Sequence, residues 1–260
     1  DDFFVLNAGF DQVAPHKPNE FYDEEKFLEE MNKAVPGIFN KLDGWTSHSY
    51  PNHGFKGSPD DSGRGSIRGW IWELNVLKEL GLTKNLPVFI TETGWKHAEG
   101  INFDKSLPTS DVVGKNFKDA FRNAWNSNRI VAITPFLLNY QELPFDHFSF
   151  KRLTGQKQNA KILGAKYPEF YPQYQAVLDI PKTAGRPIQE NKAEFVKGEI
   201  YTSLVAGQNY NIPIIFKNTG QSIWNEYGQV KLVAQHSNLQ GVPLEARTLN
   251  IEDASIPENI

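Results

Sequence analysis

The chain has 260 residues, with 31 acidic against 27 basic side chains and a formal net charge of -4 at pH 7. A balance so small and so mixed in sign gives no footprint for nucleic acid, and no apolar run approaches the ~20 residues that span a bilayer. With no cysteine, disulfides and thiolate metal sites are excluded; 6 Trp and 18 Phe supply a large core and also suit carbohydrate clefts.

Strand-like runs lie at Phe3-Phe4-Val5-Leu6-Asn7, Leu42 to His48, Leu86 to Glu92, and Ile130 to Leu138. Their spacing of roughly 40–45 residues is long enough for a strand, a loop and a helix each time. Helical patterns fill the gaps. Asp23 to Asn40 opens on acids, carries Phe27, Leu28, Met31 and Val35 at helical spacing, and meets Pro36, which kinks or ends it. Ser66 to Leu80 carries Ile67, Trp70, Ile71, Leu74 and Leu77, and Gly81 closes it. Ser110 to Ser127 follows, with Ser110 or Thr109 as cap. Ala160 to Leu178 is weaker, interrupted by Pro168 and Pro172.

Alternating β and α in this order predicts an α/β fold with a parallel sheet and right-handed crossovers. Four units make half of a (β/α)8 barrel; an open doubly wound sheet is the competing architecture. No Gly-x-Gly-x-x-Gly follows the first strand, so a dinucleotide fold has little support. The unit runs over 1–180. A polar stretch, 181–193, reads as a linker. From 194 to 260 alternation takes over: Tyr210 to Lys217 and Gly228 to Ala234 read as strands, with Asn218-Thr219-Gly220 turning between them. This is a small antiparallel β-domain, a partial sandwich. The chain starts at a strand without Met, so both ends read as cut and a targeting segment would lie upstream.

The segment Ile90-Thr91-Glu92-Thr93-Gly94-Trp95 runs a buried strand straight into a carboxylate, a glycine and a large aromatic. Ligands of α/β folds sit at the carboxyl ends of such strands. Glu92 is either a catalytic carboxylate or a structural one that caps a helix or pairs with an arginine. Trp95 is placed to stack on a sugar ring. One strand earlier, His48 and Tyr50 alternate onto one face, and a hydroxyl or ring N–H aimed at Glu92 would favour its ionised form, as a nucleophile requires.

His48-Ser49-Tyr50 at one strand end, then Ile-Thr-Glu-Thr-Gly-Trp at the next, resembles the second half of clan A glycoside hydrolases. These are retaining (β/α)8 enzymes with catalytic glutamates after strands four and seven. The resemblance covers Phe3 to about Leu178. It implies that the four strands are barrel strands five to eight, that Glu92 is the nucleophile, and that His48 and Tyr50 are the polar pair of strand six. Thr134 to Gln141 matches strand eight and its loop. The family's usual tryptophan is absent there; Tyr140 or Phe136 replaces it as sugar floor, with Asn139 beside it. The acid/base glutamate belongs to strand four, upstream of Asp1. Asn19-Glu20 offers the right residue pair in the wrong barrel order, and Glu20 reads as a helix N-terminal acid.

Phe216 to Trp224 resembles a four-tryptophan Ig-like module, with Trp224 as a core anchor and possible protein or glycan contact through that domain. Asp11 and Gln12 read as loop residues. His53, Asp60, Asp61, Arg64 and Arg68 lie in a Gly-rich, substrate-facing loop. His97, Asp146 and His147 have no recognised ligand spacing, so neither metal nor cofactor is expected. The expectation is a secreted or cell-surface retaining glycoside hydrolase acting on an oligo- or polysaccharide. The rival is a non-catalytic carbohydrate-binding or surface-display protein that keeps the barrel as scaffold.

Overall fold

Three of the apolar runs form adjacent parallel strands in the computed structural model: β1 (Trp45–Ser47), β2 (Val88–Thr93) and β3 (Ile130–Pro135), in that order across one sheet. The structure describes residues 4–17, 19–156, 161, 164–182, 192–198, 203, 205, 207, 208, 210, 213–220, 232, 233, 248 and 249. They belong to two compact units, Val5–Ile188 and Asp1–Phe4 with Gln189–Ile260.

In the larger unit Ser47 pairs with Ile90, and Ile90 with Ile133. Each strand is shorter than its apolar run, and Pro135, unable to extend the ladder, ends β3. The first expected strand is corrected. Over the described residues 4–7 only Leu6 forms a parallel bridge, to Gly44. Asn7 takes over with its side chain: the amide donates to Thr46 O at 2.9 Å and accepts from Thr46 N at 2.7 Å, occupying the edge as a backbone neighbour would.

The helices follow their start and stop signals. Asp23 caps α1 (Glu24–Ala34), accepting from Lys26 N at 3.2 Å, and Glu25 faces the positive helix end. The helix stops at Ala34, before Pro36; Gly37 turns at φ 74°, and Ile38–Lys41 forms a separate 3-10 turn. Helix α2 (Gly69–Glu79) starts three residues later than expected. Helix α3 (Ser110–Asp119) is capped by Thr109 and passes into a wider π turn, Ala120–Ala124. That turn leaves Trp125 buried, its Nε1 donating to Ile67 O at 3.1 Å. Over 164–182 the last expected helix is confined to α4 (Pro172–Leu178), with Pro172 in its first turn, where the missing N–H costs nothing; Lys161 is also helical, and 157–160, 162 and 163 lie outside the described residues.

The core fuses the sheet with these helices. Trp45, Val88 and Ile90 meet Leu28, Leu74, Leu77, Val113, Phe117 and Trp125. Burying side chains of this size contributes about 1.5–3 kcal/mol each, so packing, more than helix propensity, holds α1 to α3 in place.

In the smaller unit β4 (Ala193–Gly198) and β5 (Ile214–Asn218) pair antiparallel, Phe195 opposite Phe216. Strand β5 pairs with the earlier β4, and Thr219 N and Gly220 N both donate to Lys192 O beside that pair; residues 221–231, on the far side of the expected turn, lie outside the described residues. Of the run Gly228 to Ala234 only 232 and 233 are described, as β6 (Leu232–Val233) antiparallel to β7 (Thr248–Leu249). Residues 183–191 of the expected linker, and Trp224, lie outside the described residues. The chain is therefore mixed α/β, with a parallel three-stranded sheet and small antiparallel ones. Among the described residues no helix is long and apolar enough to cross a membrane.

Candidate active site

The parallel register Ser47↔Ile90 brings the residues after β1 beside the end of β2. Thr93 fastens the two, its hydroxyl donating to Ser49 O at 2.7 Å. Alternation then divides the side chains. Ser47 and Ser49 point into the interior, both fully buried, and their hydroxyls lie 2.7 Å apart. His48 and Tyr50 turn the other way, toward Glu92.

Tyr50 Oη donates to Glu92 Oε2 at 3.2 Å, and His48 Nδ1 lies 3.7 Å from the same oxygen. The Glu92 side chain remains 41% exposed, so the carboxylate is held on one side and open to solvent on another. Burial pushes the Tyr50 phenol well above its usual range, and the charge of Glu92 adds to this. Tyr50 therefore stays protonated and acts as a donor. His48 is seated by Gly9: a Cβ there would fall 2.1 Å from His48 Nε2, so no larger residue fits.

Tyr50 opens a chain of edge-on rings. Its neighbours are Phe55 at 5.1 Å and Phe136 at 6.4 Å; Phe136 meets Phe145 at 5.4 Å, and Phe145 meets Tyr140 at 5.4 Å. Tyr140 thus joins the site through aromatic packing. Asn139 is exposed and accepts from Gln141 Nε2 at 2.8 Å. Trp95 departs from expectation. It is 1% exposed, packs edge-on to Phe117 at 5.0 Å and donates to Gly57 O at 2.8 Å. Gly94 sets this direction, since its backbone runs against Phe136 O, 2.7 Å from where a Cβ would sit. With both faces of the indole in the core, Trp95 offers no surface to a sugar.

The other polar residues resolve into scaffolding. Glu20, read as a helix-start acid, instead pairs with Lys17 at 2.6 Å in a turn before the helix. Arg64 holds the α1 cap, 2.6 Å from Asp23; Gln12 is buried and accepts from Gly65 N at 3.1 Å. The loops leaving β2 and β3 are clasped together: His97 Nε2 lies 3.0 Å from Ser149 O, His147 Nδ1 2.7 Å from His97 O, and Asp146 Oδ2 accepts from Ile101 N at 2.6 Å. Glu99 closes the clasp at the α3 N-terminus. Burial raises its pKa, but contact with His97 and the Ser110 N–H outweighs that and holds it low. Among the described residues no three potential ligands gather as a metal site.

Sequence reasoning missed a buried acid pair beneath β1. Glu24 of α1 and Glu73 of α2 are 1% and 0% exposed. No protein donor reaches either carboxyl at full hydrogen-bond geometry, but Ser47, Trp45 and Gln12 lend looser contacts to Glu73. Burial, then the charge of Glu73, drives the Glu24 pKa far upward. Burial raises the Glu73 pKa as well, so both carboxyls are pushed toward their protonated forms. The signal was present in the sequence: Glu73 interrupts the apolar face of Trp70, Leu74 and Leu77, and Glu24 lies one helical turn from Phe27 and Leu28.

No family model matches the chain, and neither a curated protein nor a solved structure matches it.

Proposed function

We propose that Glu92 is the nucleophile of a retaining glycosidase that acts on an oligo- or polysaccharide outside the cell or at its surface. In this reading the larger unit is the carboxyl-terminal half of a (β/α)8 barrel and the smaller one an Ig-like sandwich. The observation that carries the reading is the Tyr50 hydroxyl 3.2 Å from Glu92 Oε2, across the ends of two neighbouring parallel strands. Tyr50 and His48 occupy Oε2, leaving the second oxygen to react.

Glu92 attacks the anomeric carbon as the bond to the leaving oxygen breaks, and a second carboxylic acid gives that oxygen its proton. The same residue, now a base, takes a proton from the water that displaces Glu92. Retention sets the two carboxyl groups about 5–5.5 Å apart. The family resemblance puts this second acid upstream of Asp1. Phe136 and Tyr140 line the approach to the anomeric centre.

Incubation with a panel of 2-deoxy-2-fluoroglycosyl fluorides tests this, because fluoride departs without acid help. A glycosyl adduct on the peptide bearing Glu92, absent in Glu92→Gln, is the expected result. An adduct on a different carboxylate, or glycan binding by the wild-type protein with neither adduct nor turnover, refutes catalysis by Glu92. The second outcome would favour a carbohydrate-binding scaffold.

A further inference from the structure

Outside the Glu92 site, the ring of His97 is sealed in the clasp between the loops leaving β2 and β3, its side chain 0% exposed. Nε2 lies 3.0 Å from Ser149 O. Nδ1 lies 3.3 Å from Glu99 Oε2, within ion-pair range but off the line of a full hydrogen bond. A carbonyl oxygen has no proton to give. Burial raises the Glu99 pKa, but His97 and the Ser110 N–H outweigh it and hold the group as a carboxylate. A neutral imidazole carries one N–H and one lone pair, so either tautomer would aim a lone pair at one of these oxygens. Only the doubly protonated ring presents an N–H to both. Burial opposes that charge, and the adjoining carboxylate offsets it.

His147 repeats the pattern from the other loop. Its Nδ1 lies 2.7 Å from His97 O and its Nε2 3.9 Å from Asp146 Oδ2, again two oxygens. Tyr171, just before α4, sets its ring 4.4 Å from the His97 ring and donates to Glu99 O at 2.8 Å. Burial pushes its phenol up to about 12, so it stays neutral. Arg152 stacks on the Tyr171 ring at 4.7 Å and opposes a charge on His97. Asp104, in the loop after β2, answers the charges of His147 and Lys56.

We propose that the clasp is a pH-sensitive latch, closed while His97 and His147 carry both ring protons and released as those protons leave. Imidazole is the side chain whose charge changes near neutral pH. Once the ring protons leave, Glu99 and Asp146 keep their charges while the rings beside them lose theirs, and each ring turns a lone pair toward an oxygen. The cross-loop bonds weaken together: His97 N–H to His147 O at 2.9 Å, and Ile101 N–H to Asp146 Oδ2 at 2.6 Å. The latch is tight in mildly acidic solution and loose in alkaline solution, whatever the role of Glu92.

Ring nitrogen-15 shifts and amide hydrogen exchange between pH 5.5 and 8.5 test this. At pH 5.5 both ring nitrogens of His97 should carry protons. As the ring titrates, the protection factors of the His97 and Ile101 amides should fall about tenfold or more, with the same midpoint. Glu99→Gln keeps an acceptor for the Ser110 N–H and removes the charge that His97 answers; there the fall should be about threefold smaller. A single ring proton on His97 at pH 5.5, amide protection that does not follow the ring titration, or an equal fall in Glu99→Gln would each overturn the proposal.

Discussion

Replacing Glu24 by glutamine keeps a neutral polar side chain beside Glu73 and removes one titrating proton. In the folded protein burial and the neighbouring Glu73 raise the Glu24 pKa to about 10, with Asp11 adding to the rise and Arg64 opposing it. In the unfolded chain the group returns to the ordinary carboxylate range. Stability from such a raised group is fully present below the unfolded value and falls as pH climbs toward the folded one. Each pH unit inside that window costs about 1.4 kcal/mol per retained proton, so from pH 5.5 to 8.5 the Glu24 proton alone should cost the wild type about 4 kcal/mol. That is a large share of the 5–15 kcal/mol typical of a domain. Urea unfolding followed by tryptophan fluorescence at half-unit pH steps measures the slope. In Glu24→Gln the slope should flatten by one proton. If both proteins show the same slope, or if the wild type gains stability across this range, the account of a buried, protonated Glu24 fails.

The acid side runs the other way. At Asp23 burial is outweighed by Arg64, and at Glu99 by His97 and Ser110, so both pKa values are depressed; their stabilisation is present above the ordinary carboxylate range and lost as pH falls below it. Arg64→Ala should therefore show a shallower acid limb in the same titration. Tyr50→Phe removes a hydrogen bond to a charged group, about 1.5–3 kcal/mol; glycosylation of Glu92 by a fluoroglycoside should slow roughly 10- to 100-fold, and the melting temperature should fall by several degrees. Gly9→Ala drives a methyl into the His48 ring and should cost about 1–3 kcal/mol in urea unfolding while also slowing that labelling. Trp95→Ala should cost about 3–5 kcal/mol; unchanged stability with weakened glycan binding would put Trp95 back in the cleft.

The sequence announced its elements best where backbone chemistry leaves no choice. Asp23 before two acids, Pro36 after an apolar stripe, and Val88 to Ile90 between polar flanks each formed the expected element. The meeting of His48, Tyr50 and Glu92 was legible for the same reason, since strand alternation and parallel order place all three. Legibility ended where a side chain stands in for backbone or faces inward against its type. Asn7 replaces a strand neighbour with its amide, which no apolar pattern encodes. Trp95 follows a glycine whose backbone is drawn against Phe136, and that contact, 41 residues away in sequence, sends the indole inward. Glu24 and Glu73 are hidden by a rule of thumb: a carboxylate in a helix is read as solvent-facing unless its helical neighbours are checked.

The clasp between the loops leaving β2 and β3 makes one mechanical body of two segments. Because His97 ties to Ser149, His147 to His97, and Asp146 to Ile101, neither loop can swing out while the other stays closed. Opening is then a cooperative event with a single free energy, and the amides of Ile101 and Phe150 should exchange with solvent at matched rates.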